Sequence, residues 1–92
     1  MKTARHPALV ALGQQIRKIR RERGISQEGF AAEAGLGRSY YGGVERGDHN
    51  IAALNLMRIA AALKVEVGEL FPKAQVFRDL LNESGGASAD EQ

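Results

Sequence analysis

Residues 26–47 read SQEGFAAEAGLGRSYYGGVERG, and the order of caps, small residues and glycines in this stretch decides the fold. Ser26 is a good helix N-cap, and Gly35 can end a short helix over Gln27–Ala34. Another short helix is predicted over Arg38–Arg46, again followed by a glycine that can end it. Two short helices joined by a turn of a few residues predict a helix-turn-helix unit.

The segment before this unit is predicted to form an amphipathic first helix, which Pro7 can start and Gly24 can end. Arg20 lies at the edge of its apolar face and therefore needs a carboxylate partner. Glu45 is expected on the inward side of the third helix, beside Tyr41, so the sequence predicts a largely buried Arg20–Glu45 ion pair. The alternative is two exposed, unrelated charges. The apolar face of the first helix consists of Leu9, Leu12, Ile16 and Ile19.

Weaker helical signals follow the helix-turn-helix unit. Asn50 is expected to cap a fourth helix. A short fifth helix is predicted over Val65–Phe71 and is stopped by Pro72. The segment 73–82 has apolar residues at helical spacing but is too short to be stable unless it packs on the rest of the chain. The buried side of the fourth helix is expected to consist of Leu56, Ile59, Ala60 and Leu63.

These signals divide the chain into four parts. Residues 1–6 are expected to form a basic flexible arm, and residues 7–72 the helix-turn-helix domain. Residues 73–82 are expected to form a short C-terminal helix that serves in dimerisation, and residues 83–92 a disordered tail of small and polar residues.

Composition limits the class of protein. The 92 residues are 43% hydrophobic, enough for one small core, and the formal net charge is only +2. Cysteine is absent, which excludes disulfides, thiolate nucleophiles and cysteine-based zinc sites and favours a cytoplasmic protein. Apolar stretches such as Ile59–Leu63 are far shorter than the roughly 20 residues of a membrane-spanning helix. The first 23 residues hold seven basic residues against one acidic residue, which indicates either a phosphate-facing surface or a solvated helix face.

A set of motifs between Ile16 and Phe71 occurs in one order: Ser26-Gln27-Glu28, Ala31, Gly35, Glu45-Arg46-Gly47, and Arg58-Ile59-Ala60 followed by Leu63. In this order and spacing they resemble the Cro and phage-repressor type of helix-turn-helix, the XRE-like family of DNA-binding proteins. The chain is most similar to its small stand-alone regulators, such as the controller proteins of restriction-modification systems. The resemblance implies an all-α, compact bundle of about five helices of the lambda-repressor type, here with a short extra C-terminal helix. It also implies the Arg20–Glu45 pair.

The resemblance makes the outer surface of the third helix the predicted DNA-reading surface. Arg38 is the best base reader, because its guanidinium can bond guanine O6 and N7 together; a phosphate contact or a solvated charge is the alternative. Ser39 and Tyr40 are expected to be secondary readers. Gly43 stands where relatives often carry a base-reading side chain, so either the bare helix approaches DNA closely or DNA shape contributes to specificity. The outer surface is expected to consist of Ser39, Gly42, Gly43 and Arg46.

Phosphate contacts are expected around this surface. Gln27 begins the second helix, where backbone N–H groups attract an anion, and His49 and Asn50 are expected at the start of the fourth helix. Arg46 is a further phosphate binder, and Arg17 adds a less specific positive field or is a solvated charge.

A single module covers one half-site, so a two-fold homodimer on a palindromic or nearly palindromic operator is expected. The family implies an interface near the fourth and fifth helices. The candidate interface side chains are Leu54, Val76, Phe77, Leu80 and Leu81, for which packing within the monomer is the alternative.

Other classes of function have weaker support. His6 and His49 are the two histidines, one expected in the arm and one in a loop, so neither a metal cluster nor a nucleophile–base pair is predicted. We expect no enzyme activity, cofactor, small-molecule ligand or membrane partner. The expected function is a sequence-specific regulator that binds double-stranded DNA in a bacterial or phage nucleoid. The rival is an antitoxin-type module that uses the same fold and binds a protein partner.

Overall fold

The computed structural model describes residues 5–85, with side chains as far as residue 82, and these residues form α-helices and one 3₁₀ turn. The expected all-α fold is confirmed. Within the described part of the chain, none of the helices is both long enough and apolar enough to cross a bilayer. The elements are α1 (Pro7–Glu22), α2 (Gln27–Ala34), α3 (Arg38–Arg46), α4 (Ala53–Leu63), the 3₁₀ turn (Val67–Leu70) and α5 (Ala74–Gly85).

Local signals place the first three helices as predicted. The hydroxyl of Ser26 accepts a hydrogen bond of 3.0 Å from the backbone N–H of Gly29 and so caps α2. Gly35 takes the left-handed conformation, with φ at 74°, and ends the same helix. α3 begins after Gly37, which offers no side-chain cap, so its position depends on packing more than on capping.

The core lies between α1, α2, α3, α4 and the 3₁₀ turn. The rings of Phe30 and Tyr41 meet at a centroid distance of 5.2 Å, and both side chains are fully buried. This contact joins α2 to α3 at the centre of the helix-turn-helix unit. The other buried hydrophobic residues are Leu12, Ile16, Ile19, Ala31, Ala34, Val44, Ile51, Ile59, Ala60, Leu63 and Leu70, with Leu9 packed at the margin.

α1 and α3 approach each other closely at Gly13. A Cβ added there would lie 2.8 Å from the carbonyl carbon of Glu45 and nearer still to two backbone oxygens of α3. Every other residue type would push the two helices apart, because backbone atoms cannot move aside as a flexible side chain can. Gly13 therefore sets how deeply α3 lies against α1.

The prediction that Asn50 caps the fourth helix is wrong. α4 begins at Ala53, with Ala52 as its N-cap, so Asn50 lies outside the helix and is exposed. The side chain of Ile51 is buried in the core, and Ala52 is extended, with ψ at 148°, so the chain becomes helical only at Ala53. Burial of an apolar side chain has overridden the capping preference of an asparagine.

The C-terminal elements also differ from expectation. The predicted fifth helix over Val65–Phe71 is a single 3₁₀ turn over Val67–Leu70, bounded by a capping box between Glu66 and Glu69. α5 is longer than the predicted segment 73–82, because residues 83–85 continue the helix instead of starting a disordered tail. The rest of that predicted tail, residues 86–92, and residues 1–4 of the predicted arm lie outside the described residues.

Candidate nucleic-acid interface

A buried polar cluster fixes the inner side of α3. Arg20 donates from Nε to Glu45 Oε2 at 2.7 Å and from Nη2 to Oε1 at 3.1 Å, and its Nη1 donates to the backbone oxygen of Ile25 at 2.6 Å. Arg20 is only 6% exposed and Glu45 only 5%. The predicted ion pair is confirmed, and it ties α1 to α3 at the level where α2 begins.

Glu45 accepts two more hydrogen bonds, from Gln27 Nε2 at 2.9 Å and from the hydroxyl of Tyr41. Burial opposes the charged carboxylate, but the hydrogen bonds from Arg20, Tyr41 and Gln27 outweigh burial and hold the pKa of Glu45 below its ordinary value. The hydrogen bond to Glu45 also raises the pKa of Arg20. Both groups therefore stay charged inside the fold.

The hydroxyl of Tyr41 finds its hydrogen-bond partner inside the fold. Tyr41 is fully buried, and its hydroxyl donates to Glu45. Burial, with the neighbouring carboxylate, raises the pKa of this phenol and keeps it a neutral donor. The carboxylate that partners Arg20 thus also satisfies the tyrosine, and the orientation of α3 is fixed from its inner face.

The N-terminal part of α3 points outward. Arg38 and Ser39 are exposed, as expected for residues on a surface that approaches DNA. Arg38 Nη1 lies 3.1 Å from Oε2 of Glu28 on α2, and the two side chains are 69% and 70% exposed. Water competes fully for such a pair, so Arg38 can leave Glu28 for another acceptor at little cost.

Gly42 and Gly43 are not on the open outer surface where the sequence placed them, because neighbouring side chains cover both and both are buried. A Cβ on Gly42 would lie 3.2 Å from Arg46 Nη1 and 3.5 Å from Gln27 Oε1. A Cβ on Gly43 would lie 2.7 Å from Cδ2 of His49 and nearer still to its Nε2.

The ring of His49 lies against the outer side of α3. It stacks on Tyr40 at a centroid distance of 4.7 Å with an angle of 21° between the planes. The hydroxyl of Tyr40 accepts a hydrogen bond of 3.2 Å from Asn55 Nδ2 on α4. His49 follows Gly43 by six residues in a loop, so neither helical spacing nor a motif could have paired them from the sequence.

The expected phosphate contacts around the start of α4 lose their physical basis. His49 and Asn50 were expected there to share the positive end of the helix dipole, but α4 starts at Ala53. Gln27 does begin α2, yet its side-chain amide donates to Glu45, so its backbone N–H is the group that remains near the surface.

Three arginines surround an open polar cleft between the chain before α1, the middle of α1 and the end of α3. We call it the arginine cleft; it measures about 380 Å³. Asp48 bridges two of the arginines, accepting from Nε of Arg46 at 3.0 Å and from Nε of Arg5, and these bonds lower its pKa. Arg5 was expected in a flexible arm, and no role was predicted for Asp48. The cleft is lined by Arg5, Val10, Gln14, Arg17, Gln27, Glu45 and Arg46.

The predicted interface side chains separate into two groups. Leu54 on α4 is 57% exposed and lies three residues from the similarly exposed Met57, which sequence reasoning missed. Val76 and Leu81 are also exposed. Phe77 is half-buried and packs edge-on against Phe71 at 6.4 Å, and Leu80 is half-buried, so both are partly used within the monomer.

His6 does not lie in a flexible arm, since its Nδ1 accepts a hydrogen bond of 3.0 Å from the backbone N–H of Ala8 and caps α1. Among the residues that the structure describes, histidine and acidic side chains form no group of three that could hold a metal ion.

Comparison with known proteins finds relatives for most of the chain. A family model described as helix-turn-helix matches residues 16–70. Control protein C.MunI of Mycoplasma sp is 40% identical over 63 residues, covering 67% of this chain and 85% of that protein. The crystal structure of the restriction-modification controller protein C.AhdI from Aeromonas hydrophila aligns with a TM-score of 0.67 and 49% identity, covering 68% of this chain and 96% of that chain. The structure of the biofilm regulator SinR in complex with DNA aligns with a TM-score of 0.62 and 35% identity, covering 64% and 95%.

Proposed function

This chain belongs to the helix-turn-helix family of DNA-binding transcriptional regulators, and we propose that it binds a specific double-stranded operator as a homodimer. A two-fold dimer presents one copy of α3 to each half-site, so the operator is palindromic or nearly so. The centres of the half-sites lie about one helical turn of DNA apart. The protein acts in the cytoplasm, where its DNA is.

The observation that carries the proposal is the asymmetry of α3. Its inner face is fixed by Tyr41 and Glu45, whereas Arg38 and Ser39 on its outer face have exposed side chains. A rigid helix with an arginine near its N-terminus that is held only by an exposed ion pair to Glu28 has the geometry that reads base edges in the major groove. We assign base contacts to Arg38 and Ser39.

The arginine cleft supplies the second part of the DNA surface. Arg17 and Arg46 line it together with Arg5, next to the backbone N–H groups at the start of α2. A cluster of guanidinium groups beside a helix N-terminus suits a phosphate of the DNA backbone. We assign phosphate contacts to these arginines and to the backbone N–H of Gln27, with Asn50 an exposed neighbour in the loop after α3.

We assign the dimer interface to the exposed apolar side chains of α4, extended by those of α5. Leu54 and Met57 are each more than half exposed and lie one helical turn apart, which is the spacing of a contact stripe. Val76 and Leu81 add apolar surface on α5. Sedimentation at micromolar concentration should give a dimer that Leu54→Glu converts to a monomer; a wild-type monomer under those conditions would contradict the assignment.

A controller protein of a restriction-modification system is the specific role that we favour. It is supported by the similarity to C.MunI and C.AhdI over nearly the whole length of those proteins. The rival role is that of an antitoxin with the same fold, which would bind a protein partner through residues 73–82. A stable complex with a toxin-like protein encoded beside this one, in place of the free homodimer, would favour the rival.

The proposal is tested by selecting bound sites from a pool of random DNA duplexes. The wild-type protein should enrich a site with two-fold symmetry, and Arg38→Ala should fold normally but lose its preference at one base pair in each half-site. Arg78→Ala, which removes the same charge from α5, is the matched control and should select the wild-type site. Failure of the wild-type protein to enrich any sequence would refute the proposal.

A further inference from the structure

Gly43 leaves an empty volume on the outer side of α3, and the ring of His49 fills it. An added Cβ on Gly43 would overlap the Cδ2–Nε2 edge of that ring. His49 therefore occupies the space in which a longer side chain at position 43 would begin. The imidazole comes from the loop after α3, yet it lies where a side chain of α3 itself would lie.

A stacking contact with one face holds the ring in this place. Tyr40, one turn before Gly43, stacks on one face of the imidazole. Tyr40 is in turn hydrogen-bonded to Asn55, which also accepts a hydrogen bond of 3.1 Å from Arg58. The stack thus rests on both α3 and α4, and a side chain supported in this way loses little further freedom when it binds a ligand.

The imidazole of His49 can still form a hydrogen bond with a ligand. In the part of the chain that the structure describes, no hydrogen bond engages either nitrogen of His49, which is half-exposed. Its Cδ2–Nε2 edge faces Gly43, so Nδ1 is on the opposite edge of the ring, directed away from α3. A neutral imidazole nitrogen can donate or accept one hydrogen bond.

The position of the ring distinguishes a base contact from a phosphate contact. Ser39 and Gly43 lie one turn apart on α3, so the ring of His49, which covers Gly43, lies one turn along the helix from the exposed Ser39, to which the proposed function assigns a base contact. Phosphate contacts come from the margins of such a surface, where the arginine cleft lies. The start of α4, which would have favoured a phosphate, is four residues further along the chain.

We propose that His49 is a specificity-determining residue that reads a base edge in the major groove in place of the side chain that Gly43 lacks. The proposal rests on the proposed function, because it names one more contact of the same surface. It assigns to a loop residue the base contact that position 43 of α3 cannot make without a side chain. It also explains why glycine stands at position 43, because any larger residue there would displace the ring of His49.

The test compares site selection by four proteins: the wild type, His49→Ala, Gly43→Ala and the double variant. His49→Ala should lose about tenfold in preference at one base pair per half-site and keep the rest of the wild-type site. Gly43→Ala should lose preference at the same base pair, because the new Cβ displaces the ring. The double variant should lose no more than either single variant does.

Gly42→Ala is the matched control, since it gives α3 the same gain in helix propensity but does not touch His49. It should keep the wild-type preference at the base pair that His49→Ala affects. Circular dichroism checks that all variants fold.

Three outcomes would overturn the proposal. An unchanged site for His49→Ala would mean that the ring reads no base, and a uniform loss of affinity for all sequences would mean that it binds a phosphate. Additive losses in the double variant would mean that Gly43 and His49 act separately. If the wild type enriched no sequence, the proposed function would fail as well, so the two failures are distinguishable.

Discussion

Two arginine–carboxylate pairs lie close together at the C-terminal end of α3 and have opposite surroundings. Arg20 and Glu45 meet at 2.7 Å in the core, whereas Arg46 and Asp48 meet at 3.0 Å with the arginine 58% exposed. In both pairs the arginine donates through Nε, and Arg20 adds a second hydrogen bond to its carboxylate through Nη2. The buried pair must stay together because neither charge could be left alone out of water, while the exposed pair can exchange partners with water or with a ligand.

This difference indicates a division of roles among the basic residues. The first 23 residues are strongly basic, yet Arg20 is used inside the fold and is not part of a DNA surface. The exposed arginines contribute little to stability and are therefore available for phosphates. Variants of the two pairs should separate folding from DNA binding.

The largest expected effect is that of Arg20→Ala. This change leaves the carboxylate of Glu45 buried without its cation, which should lower the free energy of unfolding by about 3 to 5 kcal/mol. Urea denaturation followed by circular dichroism measures it. Arg21→Ala, the exposed neighbour on α1, is the control and should change stability by less than about 0.5 kcal/mol. Equal stability of the two variants would show that the buried pair does not hold the fold.

Acid should weaken the same cluster. The pKa of Glu45 is lowered in the folded protein, so its contribution to stability is complete above the pKa of an unfolded glutamate and is lost as the pH falls through the folded value. The free energy of unfolding should therefore decrease below about pH 4.3, the usual pKa of glutamate. Urea titrations from pH 7 to pH 3 should show a smaller decrease for Glu45→Gln, whose side chain does not titrate; an identical decrease would assign the effect to other carboxyl groups.

Tyr41→Phe should have an intermediate effect. It removes the buried hydroxyl that donates to Glu45 but leaves the hydrogen bonds from Arg20 and Gln27. The loss of one hydrogen bond to a charged group should cost about 1.5 to 3 kcal/mol of stability, measured by urea denaturation. Tyr40→Phe, which removes a half-buried hydroxyl bonded to Asn55, should cost less. The reverse order would contradict the importance of the buried cluster.

The smallest effect on folding is expected for Asp48→Asn. Asp48 accepts from Arg5 and Arg46 at the surface, where water can replace both bonds, so the urea midpoint should not change. Removal of a negative charge beside the arginine cleft should strengthen binding to duplexes of any sequence. A fall in the midpoint comparable to that of Arg20→Ala would mean that the two arginine–carboxylate pairs do not differ in role.

The parts of the molecule that the sequence predicted depend on local signals. The bounds of α2 and α3 follow from Ser26, Gly35 and helical spacing. These signals act within a turn or two of the chain, so they can be read without knowledge of the rest of the fold. The buried ion pair joins residues 25 apart, and its prediction combined the place of each charge on its own helix with the family resemblance.

The parts that were missed depend on contacts between distant segments. Burial of Ile51 moves the start of α4 away from Asn50, and only the packed structure brings His49 over Gly43. Gly13 carries no local signal of the close contact between α1 and α3. The loop after α3 was therefore the least predictable part of the candidate site, although it supplies Asp48 and His49 to that site.

The central claim is that exposed arginines bind DNA while a buried arginine builds the fold, and Arg46→Ala tests it most directly. The measurement is the affinity for the selected operator as a function of salt concentration. The slope of log affinity against log salt should fall in magnitude by about 0.9 for each half-site bound, as expected when one phosphate contact is lost, with the urea midpoint unchanged. An unchanged slope, or a loss of stability like that of Arg20→Ala, would contradict the account.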